Sequence, residues 1–282
     1  MQIVKTVGEM KSIARAIRSN GENIGFTPTM GCLHAGHMSL VAKSKSECDR
    51  SVASIFINPA QFGPTEDLAV YPQSIDQDIA LLSEAGVDYL FYPDAAEIYP
   101  DGFKTHVEVE GITQFLCGAS RPGFFRGVAT VVLKLFNIVA PHKAYFGEKD
   151  WQQLRVIETL VRDLNLDVEI CAAPLIRDED GLAMSSRNRY LTTRQRQSAL
   201  KINRALSLAR DKIQSGEHRS ESIRQLLREF IAEEPETEID YISICDANNL
   251  SEKEIIDGKA LIALAVKVGS ARLIDNCIVE NA

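Results

Sequence analysis

The sequence of 282 residues lacks three features that would assign it to a special class: a long apolar run, a cysteine framework and an excess of basic residues. It has 31 lysines and arginines against 39 aspartates and glutamates, which gives a formal net charge of −8 at pH 7. An acidic surface does not attract nucleic acid or an anionic membrane over its whole area. We therefore predict no nucleic-acid or membrane partner, and a phosphate ligand needs a local cluster of donors.

Cysteine usage and the N-terminal residues both bear on the cellular compartment. The cysteines form no C-x-x-C pair and have no spacing typical of a zinc site: Cys32, Cys48, Cys117, Cys171, Cys245 and Cys277. Such scatter argues against a disulfide or metal framework. Residues 1–20 mix charged and apolar side chains at helical spacing, unlike a signal peptide or a membrane span. We therefore expect reduced thiols and a cytoplasmic location.

What the sequence does contain is an alternation of short β-rich runs with amphipathic stretches. The runs at 23–27, 51–57 and 88–92 are each followed by a stretch with helical spacing. This alternation predicts βαβ units on a parallel sheet. We expect an α/β fold with a Rossmann-like doubly wound parallel sheet, in which ligands lie beyond the carboxyl ends of the strands.

The character of the sequence changes after Pro174. Two polar-faced helical stretches between residues 192 and 232 precede two runs rich in Ile and Val between residues 238 and 268. We predict a second, smaller α+β domain in this part of the chain. The predicted domains are residues 1–176 and 177–282.

Two histidines lie between the predicted strand at residues 23–27 and the helical stretch after it. His34 and His37 are three residues apart, hence on one face if the helix begins there, and Gly36 lets a ligand approach the backbone closely. Free N–H groups and the helix dipole attract phosphate at such a helix start. Imidazole N–H groups can stabilise charge that develops at an α-phosphate. The alternative is that one histidine caps the helix and the other packs.

A pair of amides, Asn58 and Gln61, follows the next predicted strand among apolar residues. Neutral amides bind hydroxyl and carboxylate oxygens through donor and acceptor together. The segment is also compatible with an Asx-type turn before Pro59. It therefore predicts either a site for a small polar substrate or a turn.

Two charged segments offer further donors to phosphate. Lys149 stands beside two carboxylates where a later strand runs into a helix, and lysine binds phosphate as a point charge. A charged helix start also explains this segment. Ser185, Ser186 and Arg187 lie in a polar, flexible junction between the predicted domains. The junction predicts either a loop that closes over a nucleotide or a solvated linker.

Taken in this order and at these separations, the four segments resemble the pantothenate synthetase (pantoate–β-alanine ligase) family. The similarity extends from Phe26 to Tyr190 and again over Arg272–Asn276. It implies an adenylate-forming enzyme of the HxGH nucleotidylyltransferase-like group, with His34–His37 as the ATP-binding signature and Met184–Arg187 as a second phosphate loop. The implied reaction joins the pantoate carboxylate to the α-phosphate of ATP, releases pyrophosphate, and then transfers the pantoyl group to the amine of β-alanine with release of AMP.

The resemblance also implies a role for each matched residue. The donors implied to act in catalysis are His34, His37, Lys149 and Arg187. Further ATP contacts are implied for Met30, Gly36, Gly147, Asp150, Ile176, Ser185 and Ser186. Pantoate contacts are implied for Asn58, Gln61 and Gln153. Mg²⁺ is expected with ATP, held mainly by phosphates and water, and Asp78 is the candidate protein ligand.

The resemblance further implies a homodimer. Residues 1–176 are expected to bind ATP and pantoate, and residues 177–282 are expected to close over the active site. Cys32 and Ala60 replace the alanine and methionine usual in the family, so they bear on the floor of the pantoate pocket.

Three other functions fit part of the sequence. Another nucleotidylyltransferase, such as one that builds a dinucleotide, would share residues 34–37, but segments 58–61 and 147–150 argue against it. A non-catalytic nucleotide sensor would bind ATP without releasing pyrophosphate. A zinc hydrolase would need a third metal ligand, for which the sequence offers no obvious source.

Overall fold

The computed structural model describes residues 1–64 and 66–281, and they group into two compact units. Unit 1 comprises Met1–Glu110, Arg121–Glu148 and Val156–Pro174. Unit 2 comprises Gly111–Ser120, Lys149–Arg155 and Leu175–Ala282. Compact units need not be folding domains, so the domains 1–176 and 177–282 stay a prediction.

Unit 1 is built on a sheet of six parallel strands. They are β1 (Gln2–Val4), β2 (Ile24–Thr29), β3 (Arg50–Ile55), β4 (Tyr89–Phe91), β5 (Lys143–Gly147) and β6 (Glu169–Ala173). Their order in space is β1-β4-β3-β2-β5-β6. The chain runs from β2 through β3 to β4 on one side and later returns to the other side of β2 with β5. This reversal defines a doubly wound sheet.

Helices connect these strands, and the interior of unit 1 is apolar. The helices of this part of the chain are α1 (Val7–Ser19), α2 (Ala35–Glu47), α3 (Ile75–Glu84), α4 (Ala95–Ile98), α5 (Leu116–Ser120), α6 (Phe124–Val139) and α7 (Trp151–Asp163). Of these, α5 and the start of α7, up to Arg155, belong to unit 2. Phe26 on β2 and Leu90 and Phe91 on β4 are completely buried. Continuous burial of neighbouring positions is typical of parallel strands that are covered on both faces.

His142 ties the start of β5 to the start of β2. Its Nδ1 atom accepts a hydrogen bond of 2.9 Å from the backbone N–H of Ile24, and its own backbone N–H donates to the carbonyl of Ile24 at 2.9 Å. Burial lowers the pKa of His142, and the charge of Arg18 lowers it further, against the opposing charges of Asp167 and Asp49. Folding therefore favours the neutral imidazole.

We expect His142 to make the fold less stable as the pH falls. Its folded pKa lies below the unfolded value of about 6.5, so the unfolded chain takes up the proton first. The free energy of unfolding therefore decreases as the pH falls from about 6.5 towards the folded pKa. Asparagine at position 142 can accept the bond from Ile24 without titrating. Urea denaturation at about pH 7.5 and about pH 5.5 measures the free energy of unfolding. The stability of His142→Asn relative to the wild type should be higher at the lower pH. A difference in the free energy of unfolding that is the same at both pH values would contradict the prediction.

Unit 2 contains an antiparallel sheet with the strand order β7-β8-β9. Its strands are β7 (Thr237–Asp246), β8 (Gly258–Val268) and β9 (Ala271–Asn281), and its long helices are α8 (Thr193–Gln214) and α9 (Ser220–Ala232). Apolar residues of these five elements form one buried core. The two sheets confirm the predicted α/β fold with a smaller α+β part, although β9 is not predicted. Within the described residues, no helix combines the length and apolar character needed to cross a membrane.

Candidate active site

The strand order of unit 1 reverses between β2 and β5, and doubly wound sheets bind ligands beyond the carboxyl ends of the strands at such a reversal. β2 ends at Thr29 and leads into residues 30–34, while β5 ends at Gly147. Among the described residues other than Gly147 and its two chain neighbours, no heavy atom lies within 4 Å of the position that a Cβ atom would take on Gly147. The histidine segment therefore starts where the topology places a ligand.

The two histidines form the N-terminal cap of α2. The backbone N–H of Gly36 donates to Nδ1 of His34 at 3.1 Å, and the backbone N–H of His34 donates to Nδ1 of His37 at 3.4 Å. The ring centroids lie 4.0 Å apart, with the ring planes tilted by 36°. The sequence leaves capping and ligand binding as alternatives, but each ring has a second nitrogen besides its capping Nδ1, so the two roles are compatible.

These caps fix which ring nitrogen carries the proton. A nitrogen that accepts a hydrogen bond carries no proton, so the caps place the proton of each neutral ring on Nε2. The Nε2–H groups of His34 and His37 are then donors at the start of α2. Backbone N–H groups and the helix dipole favour an anion at the same end. The start of α2 is therefore suited to a phosphate group.

A buried carboxylate holds the backbone that precedes His34. Asp78 on α3 is 1% exposed; its Oδ2 accepts from the N–H of Cys32 at 2.7 Å and its Oδ1 accepts from the N–H of Leu33 at 2.8 Å. The hydroxyl of Ser74 donates to Oδ1 at 3.1 Å. Cys32 has a φ of +53°, in the left-handed region that few residues adopt. The carboxylate therefore stabilises an uncommon loop conformation and positions the first histidine.

The contacts of Asp78 do not fit its predicted role as a magnesium ligand. Three protein donors already bind its two oxygen atoms. Across residues 1–64 and 66–281, no group of three or more His, Cys, Asp or Glu side chains could hold a metal ion. Magnesium is commonly bound by substrate phosphates and water with few carboxylates. An ion at this site would therefore depend on the phosphates of its substrate.

We expect Asp78→Asn to impair activity without changing the dependence on Mg²⁺ that the family resemblance implies. The amide can accept from one backbone N–H, but its own NH2 group would face the other. This unsatisfied pair should cost about 1–3 kcal/mol of stability and lower the turnover rate about tenfold or more. The Mg²⁺ concentration that gives half of the maximal rate is the measurement. It should equal that of the wild type and of Asp76→Asn, an exposed control on the same helix; a large increase in Asp78→Asn alone would show direct ligation.

The predicted amide pair is buried and joined by a hydrogen bond. Asn58 is 1% exposed and Gln61 is 9% exposed, and Nδ2 of Asn58 donates to Oε1 of Gln61 at 3.0 Å. Nε2 of Gln61 in turn donates to Sδ of Met30 at 3.0 Å. The Asx-type turn is present as well, because Oδ1 of Asn58 accepts from the N–H of Ala60 at 3.3 Å. Unit 1 thus brings together the segments that follow β2 and β3.

The charged segment around Lys149 lies in unit 2. Lys149 and Asp150 belong to a short 3₁₀ helix, Glu148–Asp150, ahead of α7, and Nζ lies 3.9 Å from Oδ2 of Asp150. At this separation the ion pair is weak, so the ammonium group can bind a phosphate oxygen instead. The carbonyl of Lys149 accepts from Nδ2 of Asn276 at 2.9 Å, which holds the backbone in place. Gln153 is half-buried in the first turn of α7.

The serine segment follows a small hairpin in unit 2. The N–H of Met184 donates to the carbonyl of Ile176 at 3.0 Å and closes the hairpin. Ser185 then caps the 3₁₀ helix Ser186–Tyr190, because its Oγ accepts from the N–H of Arg187 at 3.3 Å. The residues predicted to contact phosphate are therefore at the start of an ordered turn.

Ion pairs hold this hairpin more firmly than its polar sequence indicates. Arg177 binds Asp275 through two hydrogen bonds of 2.6 and 2.9 Å, and Asp275 is only 3% exposed. Arg196 binds Asp178 at 2.7 Å and Asp180 at 2.8 Å. A bidentate bond between an arginine and a buried carboxylate is among the stronger polar contacts in proteins. The predicted flexible junction is thus a braced segment within unit 2.

Two residues that support the amide pair do not stand out in the sequence. The hydroxyl of Tyr99 donates to Oδ1 of Asn58 at 2.7 Å, and the carbonyl of Gly127 accepts from Nδ2 of Asn58 at 3.1 Å. Tyr99 stands among other aromatic residues, so nothing in its surroundings indicates this contact. Gly127 offers one signal, because a glycine inside an apolar helical run often marks the close approach of another backbone.

Known proteins resemble this chain over nearly its whole length. The family model described as pantoate-beta-alanine ligase matches residues 2–278. A pantothenate synthetase of Caldicellulosiruptor saccharolyticus is 54% identical over 280 residues, which are 99% of this chain and 100% of that protein. A pantothenate synthetase of Syntrophobacter fumaroxidans is 53% identical over 282 residues, which are 100% of both chains.

Two solved structures extend the likeness to the fold. A crystal structure of pantothenate synthetase from Thermus thermophilus has a TM-score of 0.93 and 45% identity, covering 98% of this chain and 99% of its own. The pantoate-beta-alanine ligase from Francisella tularensis, complexed with beta-gamma ATP and beta-alanine, has a TM-score of 0.81 and 37% identity, covering 99% and 97% of the two chains. Since sequence and fold agree over almost every residue, the chain belongs to the pantoate–β-alanine ligase family.

Proposed function

We propose that this chain condenses pantoate with β-alanine at the expense of ATP, through a pantoyl-adenylate. The observation that supports this most directly is the start of α2, where the Nδ1 atoms of His34 and His37 serve as caps and their Nε2 atoms carry the donor hydrogens. This pair of donors stands at the strand reversal of the sheet. The Francisella tularensis relative, complexed with beta-gamma ATP and beta-alanine, supports the same substrates.

In the first step, a pantoate carboxylate oxygen attacks the α-phosphate and pyrophosphate leaves. Negative charge grows on the phosphate oxygens during this step, and His34 and His37 stabilise it through their Nε2–H groups. Lys149 and Arg187 neutralise the triphosphate. In the second step, the β-alanine amine attacks the activated carbonyl and AMP leaves. Neither step requires a covalent bond to the protein.

The remaining predicted residues bind and orient the substrates. The ATP contacts are assigned to Met30, Gly36, Gly147, Asp150, Ile176, Ser185 and Ser186. Pantoate is assigned to Asn58, Gln61 and Gln153, so that the carboxylate is aligned for attack. Mg²⁺ would enter with the phosphates of ATP and add to the neutralisation of their charge.

The proposed assembly is supported by the family resemblance, and the proposed location by the sequence. A homodimer is proposed because the family resemblance implies one, and sedimentation of the purified chain tests it directly. A cytoplasmic location is proposed because the scattered cysteines fit a reducing compartment. Neither property is needed for the chemistry of a single site.

Pyrophosphate release measured with ATP and pantoate, first without and then with β-alanine, tests the proposed reaction. We expect pantoate-dependent pyrophosphate in the first case, and AMP together with pantothenate once β-alanine is added. Binding of ATP without pantoate-dependent pyrophosphate would favour a nucleotide sensor. Pyrophosphate release that depends on a second nucleotide, and not on pantoate, would favour a dinucleotide-forming transferase.

A further inference from the structure

The hydroxyl of Tyr99 contacts the amide pair and has no part in the proposed reaction. It donates to Oδ1 of Asn58 at 2.7 Å. Its ring packs against Phe56 and Phe103, with centroid distances of 6.2 and 5.1 Å. Burial raises the pKa of the Tyr99 hydroxyl to about 12, so it keeps its proton at neutral pH. A permanent hydrogen-bond donor is thus held against Asn58.

Asn58 uses its whole hydrogen-bonding capacity inside the protein. Nδ2 donates to the carbonyl of Gly127 at 3.1 Å and to Oε1 of Gln61 at 3.0 Å. Oδ1 accepts from the N–H of Ala60 at 3.3 Å and from Tyr99 at 2.7 Å. A carbonyl only accepts and a backbone N–H only donates, so these contacts determine which end of the amide is oxygen. With two donors and two acceptors occupied, Asn58 retains no group for a substrate.

The same bonds determine the orientation of the amide of Gln61. Because Oε1 accepts from Asn58, the other end of the amide is the NH2 group, which lies 3.0 Å from Sδ of Met30. An NH2 group has two N–H donors, and only one can point at the sulfur. Gln61 therefore presents a donor beside the segment that follows β2. The complementary group on a substrate is an oxygen acceptor, such as a carboxylate or a hydroxyl.

We infer that Tyr99 is a positioning residue that acts through Asn58 and keeps Gln61 oriented as a hydrogen-bond donor to the acid substrate. The inference rests on the proposed function and deepens it, since it moves Asn58 from substrate contact to support. Without the hydroxyl of Tyr99, Oδ1 of the buried Asn58 loses its shortest hydrogen bond. The amide of Gln61 is then held less firmly and can turn its oxygen towards the substrate carboxylate. Binding of pantoate weakens, whereas binding of ATP does not.

The substitution Tyr99→Phe tests this inference because it removes only the hydroxyl group. We expect the KM for pantoate to rise about 3–10-fold, which corresponds to one lost hydrogen bond, while the KM for ATP stays within about twofold. Tyr89→Phe is the matched control, because Tyr89 is also half-buried but stands at the amino end of β4. It should change neither KM. A cooperative urea unfolding transition in the wild type and in both variants establishes that each protein is folded under the assay conditions.

A double-mutant cycle separates positioning from a general loosening of the site. In a Gln61→Ala background, Tyr99→Phe should leave the Kd for pantoate unchanged by calorimetry, because the amide through which Tyr99 acts is missing. An unchanged KM for pantoate in Tyr99→Phe, an equal rise in both KM values, or a full effect in the Gln61→Ala background would overturn the inference. A wild-type chain without pantoate-dependent turnover would instead overturn the proposed function and, with it, this inference.

Discussion

Replacing His37 by alanine is expected to lower the rate of pantoate-dependent pyrophosphate release by about 10²–10³-fold. The substitution removes an Nε2–H donor at the start of α2, where charge develops on the phosphate in the proposed reaction. It also removes the Nδ1 acceptor that caps the N–H of His34. Single-turnover measurement of pyrophosphate release at saturating ATP and pantoate reports the chemical step without product release.

Two conservative substitutions separate the donor from the cap. Asparagine at position 37 places an acceptor near the position of Nδ1 and no donor at Nε2, whereas glutamine places an NH2 group near Nε2. We expect His37→Asn to be as stable as the wild type and nearly inactive, and His37→Gln to retain more activity. His106→Ala, at an exposed histidine, is the control and should behave like the wild type. Equal activity of the Asn and Gln variants would show that the donor is not what matters.

Replacing Gly127 by alanine is expected to have the second largest effect. A Cβ atom at this position would lie 2.2 Å from the carbonyl oxygen of Ala60 and 2.7 Å from Cα of Gln61. These are backbone atoms, so the segment that carries the amide pair must move away from α6. A displacement of about 1 Å can cost about 100-fold in rate, and overpacking of this kind costs about 1–3 kcal/mol of stability. We expect kcat/KM for pantoate to fall by about 100-fold.

The matched control for this substitution is Gly8→Ala on α1. Apart from Gly8, its two chain neighbours and the nearby backbone of α1, no heavy atom of the described residues lies within 4 Å of a Cβ atom at Gly8. Alanine is favoured over glycine in a helix by about 0.5–1 kcal/mol. This control should therefore be as active as the wild type and slightly more stable. The prediction fails if Gly127→Ala binds pantoate normally, since that would mean that residues 60 and 61 can shift without consequence for the substrate.

Elements with local signals are the part of the fold that the sequence predicts well. The helical stretch predicted from residue 192 is α8, and its start is marked by a capping box in which Thr192 and Gln195 bond each other's backbone N–H groups at 3.2 and 3.1 Å. β9 escapes prediction because its apolar alternation is broken by polar residues. One of these, Asp275, is buried only because Arg177 binds it from a distant part of the chain.

Spacing along the sequence points to candidate ligand-binding residues, but it does not point to the residues that hold these candidates in position. His34 and His37 stand out because they share one strand-to-helix turn. The contact of Tyr99 with Asn58 joins residues 41 positions apart, and that of Asp78 with Cys32 joins residues 46 positions apart. No local period signals such pairs. Asp78 is the candidate metal ligand under the family resemblance, and only the fold reveals the backbone donors around its carboxylate.

The reversal of strand order in unit 1 also determines when the ends of β2 and β5 can first lie side by side during synthesis of the chain. β2 pairs with β3 through neighbouring sequence, whereas its partner on the other side, β5, begins only at Lys143. A nascent chain that has emerged only as far as residue 142 therefore contains both histidines but lacks β5, the second neighbour of β2. Since domains generally fold as units during synthesis, a shortened product that ends before Lys143 would carry both histidines but lack β5, the strand on which the reversal of strand order depends.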